Sequence, residues 1–300
     1  MTKKIKKILL GPSSFGSLDR SPISKLEEHG FAVIDNPYKR KLTKEELLAL
    51  LPGITGLIAG LETLDREVMT KSNLKIISRC GAGMSNVDQK AAKELGITVR
   101  NTPTAPVNAV AELTIGCLLS LLRQVNQMDA ALHQKKWEKR IGRLLSEKNV
   151  AVIGYGNIGK KVGELLSAFG AKVLPVDPKY TKSVDLTDAI KAADIITLHC
   201  SGEACLLRAK EFGQMKQGIF ILNAARGALI DEEALIHGLN SKQVIGAWLD
   251  TFAQEPYVGK LCDYPQVILT PHVGSYAFEC RQNMEMETVN NLIDYFNTNG

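Results

Sequence analysis

The sequence predicts an α/β protein built from two doubly wound parallel sheets. Three observations carry this expectation. Short apolar runs alternate with amphipathic stretches from end to end, as strands and their covering helices do in parallel sheets. A chain of 300 residues is long for one core, which points to two domains. A long helical stretch over residues 107–133 separates two such alternating series.

In the first series the strands are "KILL", "FAVI", "GLIA", "LKIIS" and "ITV". Between them lie the helical segments "SPISKLEEHG", "TKEELLALL", "LDREVMTKS" and "NVDQKAAKELG". Ser21-Pro22 and Thr43 read as helix starts, and Gly30 and Gly96 as helix stops. The second series supplies "NVAVIG", "AKVLPVD", "DIITLH", "GIFILN", "VIGAWLD" and "QVILT". The closing segment "CRQNMEMETVNNLIDYF" is helical and returns to the first domain. Residues 1–100 and 280–300 are therefore expected to form one domain, and residues 101–279 the other.

Composition narrows the function classes. A hydrophobic fraction of 45% with 23% charged residues is ordinary for a globular protein. The net charge of +5 is mild, and its one dense basic run, "KKIKK", flanks the first strand, so nucleic acid is not an expected partner. No apolar run approaches the ~18 residues of a membrane span, and no secretory signal is evident. The six cysteines form no C-x-x-C pair and mostly sit in apolar stretches. Reduced thiols in a cytoplasmic protein are expected, without a metal site.

The stretch "VAVIGYGNIGKKVGELLSAFG" places Gly154, Gly156 and Gly159 directly after a strand and at the head of a helix. Gly154 permits the tight turn, Gly156 lets a pyrophosphate approach the backbone, and Gly159 lets helix and strand pack closely. With Tyr155, Asn157 and Ile158 they make the loop that would cradle a dinucleotide. The next strand ends in Asp177, placed to accept bonds from ribose hydroxyls and to repel a 2′-phosphate, which favours NAD over NADP. Lys179 leaves NADP open.

Three later strands end in unusual residues. "GIFILNAARGALIDEEAL" runs into Arg226, "VIGAWLDTFAQEP" reaches Asp250 and Glu255, and "VILTPHVGS" delivers His272. Singly, these read as an ion-pair arginine, a solvated carboxylate and a loop histidine. Ligands of open α/β sheets bind outside the carboxyl ends of the strands, where all three would meet.

These motifs resemble the NAD-dependent D-2-hydroxyacid dehydrogenase family, which includes phosphoglycerate dehydrogenases. The resemblance covers nearly the whole chain: "RCGAGMSNVD", "NTPTAPVNAVAE", "GYGNIGKKV", "NAARGALIDEEAL", "DTFAQEP" and "TPHVGS" occur in the family's order. It implies a Rossmann dinucleotide-binding domain, a flavodoxin-like substrate-binding domain, and hydride transfer between NAD(H) and a small D-2-hydroxy or 2-oxo acid. His272 would be the acid and base, Glu255 would hold it and favour the imidazolium, and Arg226 would bind the substrate carboxylate and polarise the carbonyl. The backbone N–H groups of Gly81, Ala82 and Gly83 would cradle the carboxylate. His199, Ala225 and Asp250 would lie at the cofactor, Asp250 orienting its carboxamide; a purely structural His199 stays open.

Two departures from the family pattern stand out. The loop "SGEACLLRAKEFGQMK" is about three residues short, which bears on cofactor affinity. Where phosphoglycerate dehydrogenases carry an Arg-Ser pair after "GLIAG", this chain has Ala59, Gly60, Leu61, Glu62 and Thr63. A cation expected near the substrate is thus missing and a carboxylate stands nearby, unless Glu62 simply points to solvent. The serine loop "GPSSFGS" and "RCGAGMSNVD" favour 3-phosphoglycerate as the specific substrate, and no feedback-control domain is expected. An NAD-sensing scaffold or corepressor-like binding protein is the alternative from another class. The apolar stretch 109–124 fits a homodimer interface or burial in the monomer's own core.

Overall fold

The first five strands are β1 (Lys7–Leu10), β2 (Ala32–Ile34), β3 (Gly56–Ala59), β4 (Ile76–Arg79) and β5 (Thr98–Asn101), with α1 (Ser21–Glu28), α2 (Lys44–Leu50), α3 (Arg66–Thr70) and α4 (Gln89–Glu94) between them. They pair in parallel in the order β2-β1-β3-β4-β5. This is a computed structural model; it describes residues 5–202 and 204–299, so Lys3 and Lys4 of the basic run and Glu203 of the short loop lie outside it. Both faces of the sheet are covered, which is why its strands read as continuous apolar runs. Leu9, Leu57, Ala59 and Ile77 enter one cluster and Ile8, Leu10, Ile58 and Ile76 the opposite one. Each buried leucine or isoleucine among them contributes about 1.5–3 kcal/mol. Thr43 caps α2 through a reciprocal box with Glu46, and Gly30 and Gly96 stop α1 and α4 at positive φ.

The second unit begins with α5 (Val107–Arg123) and α6 (Val125–His133), where the sequence suggested one long helix. Gln124 breaks it in a left-handed conformation, and its side chain donates to the Ile141 carbonyl. The apolar face of α5 is buried in its own unit: Ala111, Ile115, Leu118 and Leu122 pack with Val150, Phe220 and Trp248. Of the two readings of that stretch, the monomer's own core accounts for it.

The sheet of this unit comprises β6 (Asn149–Ile153), β7 (Lys172–Val176), β8 (Ile195–Leu198), β9 (Ile219–Asn223), β10 (Val244–Leu249) and β11 (Val267–Leu269). α7 (Asn157–Ala168), α8 (Leu186–Ala192), α9 (Ala209–Phe212) and α10 (Glu232–Asn240) connect them, and the order is β11-β10-β9-β8-β6-β7. Pro175 is tolerated because β7 is an edge strand. The chain ends in α11 (Phe278–Asn299), whose Met284, Val289, Leu292 and Phe296 join the Ile8 cluster of the first sheet.

The two units are Met1–Pro106 with Ser275–Gly300, and Val107–Gly274. Their limits fall about five residues from the positions read off the sequence, for local reasons. Thr102 is tied to Gly81 and Ala105 packs with the Ile8 cluster, while Gly274 donates its N–H to Asp250.

Candidate active site

Register aligns one row across the second sheet: Leu269, Leu249, Asn223, Leu198, Ile153 and Val176. The residues that follow each of them, Thr270, Asp250, Ala224, His199, Gly154 and Asp177, therefore line the carboxyl edge strand by strand. This is the edge where ligands of open α/β sheets bind.

At the β6/β8 end the edge is built of glycine. Gly154 has φ +91°, and a methyl group there would collide with the backbone of His199 and Cys200. A methyl at Gly159 would collide with the Gly154 carbonyl. Gly156 is the N-cap of α7 and supplies no side-chain cap, so the first-turn N–H groups of Asn157, Ile158 and Gly159 point outward from an uncapped positive helix end. Asp177 closes the turn: Oδ2 accepts the Tyr155 N–H at 2.9 Å and Oδ1 the Lys179 N–H at 2.8 Å. The Tyr155 ring packs on Tyr180, with centroids 4.8 Å apart. His199 is half-buried, its Nε2 lies 2.8 Å from Thr197 Oγ1, and its buried Nδ1 has no partner among the described residues. Burial pushes its pKa down to about 3, so the ring is neutral. A close-approach turn, uncapped N–H donors, a held acid and a spare buried ring nitrogen fit a dinucleotide.

Toward β11 the edge carries the proton-handling groups. His272 Nδ1 is 3.0 Å from Glu255 Oε2, and Glu255 Oε1 accepts the Phe252 N–H at 3.1 Å. With Nδ1 donating to Glu255, Nε2 is the nitrogen left to carry a transferable proton. His272 stands at φ +54°, a conformation that costs a non-glycine residue energy and persists only where its surroundings impose it. Asp250 imposes it: buried, it accepts from Thr270 Oγ1 (2.6 Å), Val273 N (2.9 Å) and Gly274 N (2.8 Å). Trp248 Nε1 in turn donates to Thr270 Oγ1 at 3.0 Å. Asp250 thus has a task beyond the carboxamide contact that the resemblance implies; it pins the loop that presents His272.

Arg226 is positioned in the same manner from β9. Buried Asn223 accepts from Ala225 N at 3.0 Å and donates to the Arg226 carbonyl at 2.9 Å. Arg226 Nη1 donates to the Ala225 carbonyl at 2.7 Å, which leaves its remaining guanidinium donors for a ligand. Gly227 lets this loop press against Phe252 and Ala253, where any side chain would collide. The segments bearing Arg226, Glu255 and His272 are therefore linked by contacts as well as by strand order. Asn223 and Thr270 escaped the sequence reading; their signal was a polar residue closing an apolar strand.

The first unit corrects two expectations. Of the three N–H groups proposed to cradle a carboxylate, that of Gly81 is engaged by Thr102 Oγ1 at 2.8 Å, because Thr102 is buried and needs a donor. Among the described residues, nothing engages those of Ala82 and Gly83. Of the two readings of Glu62 the solvated one falls: it is 2% exposed, Oε2 accepts the Gly60 N–H at 2.6 Å, and burial pushes its carboxyl pKa up. In the serine loop, the Gly16 N–H is already matched to Glu285 Oε2 at 2.8 Å.

Residues 115–274 match the profile described as "D-isomer specific 2-hydroxyacid dehydrogenase, NAD binding domain". A hydroxypyruvate reductase of Thermotoga maritima is 35% identical over 268 residues, covering 84% of this chain and 88% of that protein. Human D-3-phosphoglycerate dehydrogenase is 33% identical over 307 residues; the match covers 97% of this chain and 56% of the longer human protein. Among solved structures, the NAD+-bound 3-phosphoglycerate dehydrogenase of Entamoeba histolytica superposes with a TM-score of 0.83 at 26% identity, over 99% of this chain and 96% of that one. Among the described residues no helix is long and apolar enough to cross a membrane. The chain belongs to the D-isomer-specific 2-hydroxyacid dehydrogenase family and is an NAD-dependent oxidoreductase of that class.

Proposed function

We propose that the chain interconverts a small D-2-hydroxy acid and its 2-oxo acid, with Arg226, Glu255 and His272 as the catalytic residues. The observation that carries the assignment is the 3.0 Å His272–Glu255 pair, held in a strained backbone by Asp250. NAD(H), when bound along Gly154, Tyr155, Gly156, Asn157, Ile158, Gly159 and Asp177, supplies or takes up the hydride. His199 and Ala225 border the same edge. As the carbonyl carbon is reduced, negative charge grows on its oxygen. Arg226 stabilises that charge and binds the carboxylate, and His272 Nε2 delivers the proton. Glu255 fixes the ring by its bond to Nδ1 and stabilises the imidazolium that must form in the reverse direction. In the first unit, the Ala82 and Gly83 N–H groups remain as the candidate donors to a carboxylate.

A second copy of this chain is the partner we propose. Trp137 is 81% and Ile141 95% exposed, with Leu132 and Leu144 also uncovered, an apolar arm that ordinary monomers seldom leave in water. The six cysteines are all free, in keeping with a cytoplasmic setting.

The test is NADH consumption across pyruvate, glyoxylate, hydroxypyruvate and 3-phosphohydroxypyruvate. Turnover of at least one acid is expected. His272→Ala should cut kcat by about a hundred- to ten-thousandfold with NADH affinity retained. Silence across the panel with intact NADH binding would favour the scaffold reading.

A further inference from the structure

Trp248 is wholly buried on β10, and its indole N–H donates to Thr270 Oγ1 at 3.0 Å. An indole nitrogen can only donate. The Thr270 oxygen therefore accepts, and its own proton is directed to Asp250 Oδ1 at 2.6 Å. Asp250 also accepts the Val273 N–H at Oδ1 and the Gly274 N–H at Oδ2. The donors of this row point one way, from the indole through the hydroxyl to the carboxylate. A hydroxyl that accepts on one side is a stronger donor on the other.

Thr270 holds the backbone as well. Its N–H donates to the Leu249 carbonyl at 3.0 Å, and its carbonyl accepts the His272 N–H at 2.9 Å. The turn that sets His272 at φ +54° thus closes on Thr270 at one end and on Asp250 at the other. Gly274 allows that closure: a methyl group there would stand 3.0 Å from Asp250 Oδ2 and 3.2 Å from Val110 of α5. The Asp250 N–H donates in turn to the carbonyl of Asn223, the residue that holds Arg226. Trp248 packs in the core against α5, so it acts on the His272 turn only through Thr270.

We propose that Trp248 and Thr270 are positioning residues for the acid–base group: the indole N–H fixes the Thr270 hydroxyl, and Thr270 with Asp250 fixes the turn that presents His272 to Glu255. The inference rests on the dehydrogenase reading above. Without the hydroxyl, Asp250 loses its hold on one end of the turn, and the strained His272 backbone relaxes. The ring then drifts from the line along which Nε2 hands over its proton. Misplacement by about 1 Å costs up to about a hundredfold in rate. Proton delivery is the step that slows.

The test measures kcat on the best acid of the panel above, in light and in heavy water. Thr270→Val should lower kcat about ten- to hundredfold, leave NADH affinity within about threefold and enlarge the solvent isotope effect. Thr270→Ser should recover most of the loss. Trp248→Phe, which keeps a ring in the core without the N–H, should lower kcat about two- to tenfold with the same isotope signature. Added to Thr270→Val, it should cost less than about twofold more, because it acts through Thr270. Losses that multiply in the double variant, or an unchanged isotope effect, would overturn the proposal. Should Thr270→Val fail to fold, Trp248→Phe and its isotope effect decide alone. The linkage is also readable without turnover. Of the two tryptophans Trp137 is exposed, so the slowly exchanging indole signal in a proton–nitrogen NMR spectrum belongs to Trp248. Thr270→Val should shift it together with the His272, Val273 and Gly274 amide signals. Such shifts in a protein that reduces no acid would uphold the linkage and overturn only the reaction; amide signals that stay in place would overturn the linkage itself.

Discussion

At the β6/β8 edge of the second unit, Gly154 follows the first strand and His199 the second; at the β1/β3 edge of the first unit, Gly11 and Gly60 hold the same two places, with Glu62 just beyond. Both edges are switch points of the same winding, and in both a glycine stands where a side chain would collide. In the second unit the glycines keep side chains out of a turn that ends in an uncapped helix, so the N–H donors remain for a ligand. In the first, the space is occupied by the protein's own carboxylate. Glycine at a switch point therefore declares that something approaches the backbone closely. Which something depends on whether a neighbouring side chain reaches the donors first.

If that contrast is right, glycine substitutions at the two edges should fail differently. Gly159→Val sets a branched side chain against the Gly154 carbonyl and forces the phosphate turn apart. NADH affinity, read by fluorescence titration, should weaken by well over tenfold, as expected when backbone approach to a phosphate is lost. Retained affinity would mean that this turn is not the cofactor cradle. Gly11→Ala presses on Glu62 Oε1 and on the Ile58 carbonyl, both within about 3 Å of the added methyl. It should cost about 1–3 kcal/mol of stability in urea unfolding, as overpacking does, and leave NADH affinity nearly unchanged. A loss of NADH binding equal to that of Gly159→Val would erase the distinction between the two edges.

Much of this was legible in the sequence because it lies in short-range patterns. Alternate burial on both faces of each sheet produces the apolar runs, and the G-x-G-x-x-G turn, its terminal Asp177 and the strand ends bearing Arg226, Glu255 and His272 are each local. What escaped depends on partners distant in sequence. A solvated Glu62 stays open until Gly11, some fifty positions away, is seen to leave room for it. The Gly81 N–H reads as free until Thr102 is placed against it. Asp250 reads as a cofactor contact until the Val273 and Gly274 N–H groups turn back onto it. The apolarity of α5 was visible; its burial against β6, β9 and β10 of its own unit, leaving Trp137 and Ile141 as the exposed apolar arm, was not.

The second loop of each switch point also buries a titratable group, and burial drives both toward the neutral form: the Glu62 carboxyl up, the His199 ring down to about 3. For His199 the consequence has a definite sign. The ring of the unfolded chain titrates near 6.5, whereas that of the folded chain stays neutral to about pH 3. As pH falls through 6.5 the unfolded state binds a proton that the folded state refuses, so stability falls with pH; about a unit or more above 6.5 the group contributes almost no slope. Between pH 6.5 and 5.5 the loss should be about 1 kcal/mol, approaching ~1.4 kcal/mol per unit further down. Carboxylates that titrate in the same range contribute to any single curve, so the measurement is a difference between urea-unfolding free energies of the wild type and His199→Asn over that interval. The variant should lose about 1 kcal/mol less than the wild type. Parallel curves would mean that the His199 ring takes up its proton without unfolding, and that the β6/β8 edge is open to water where the β1/β3 edge is sealed.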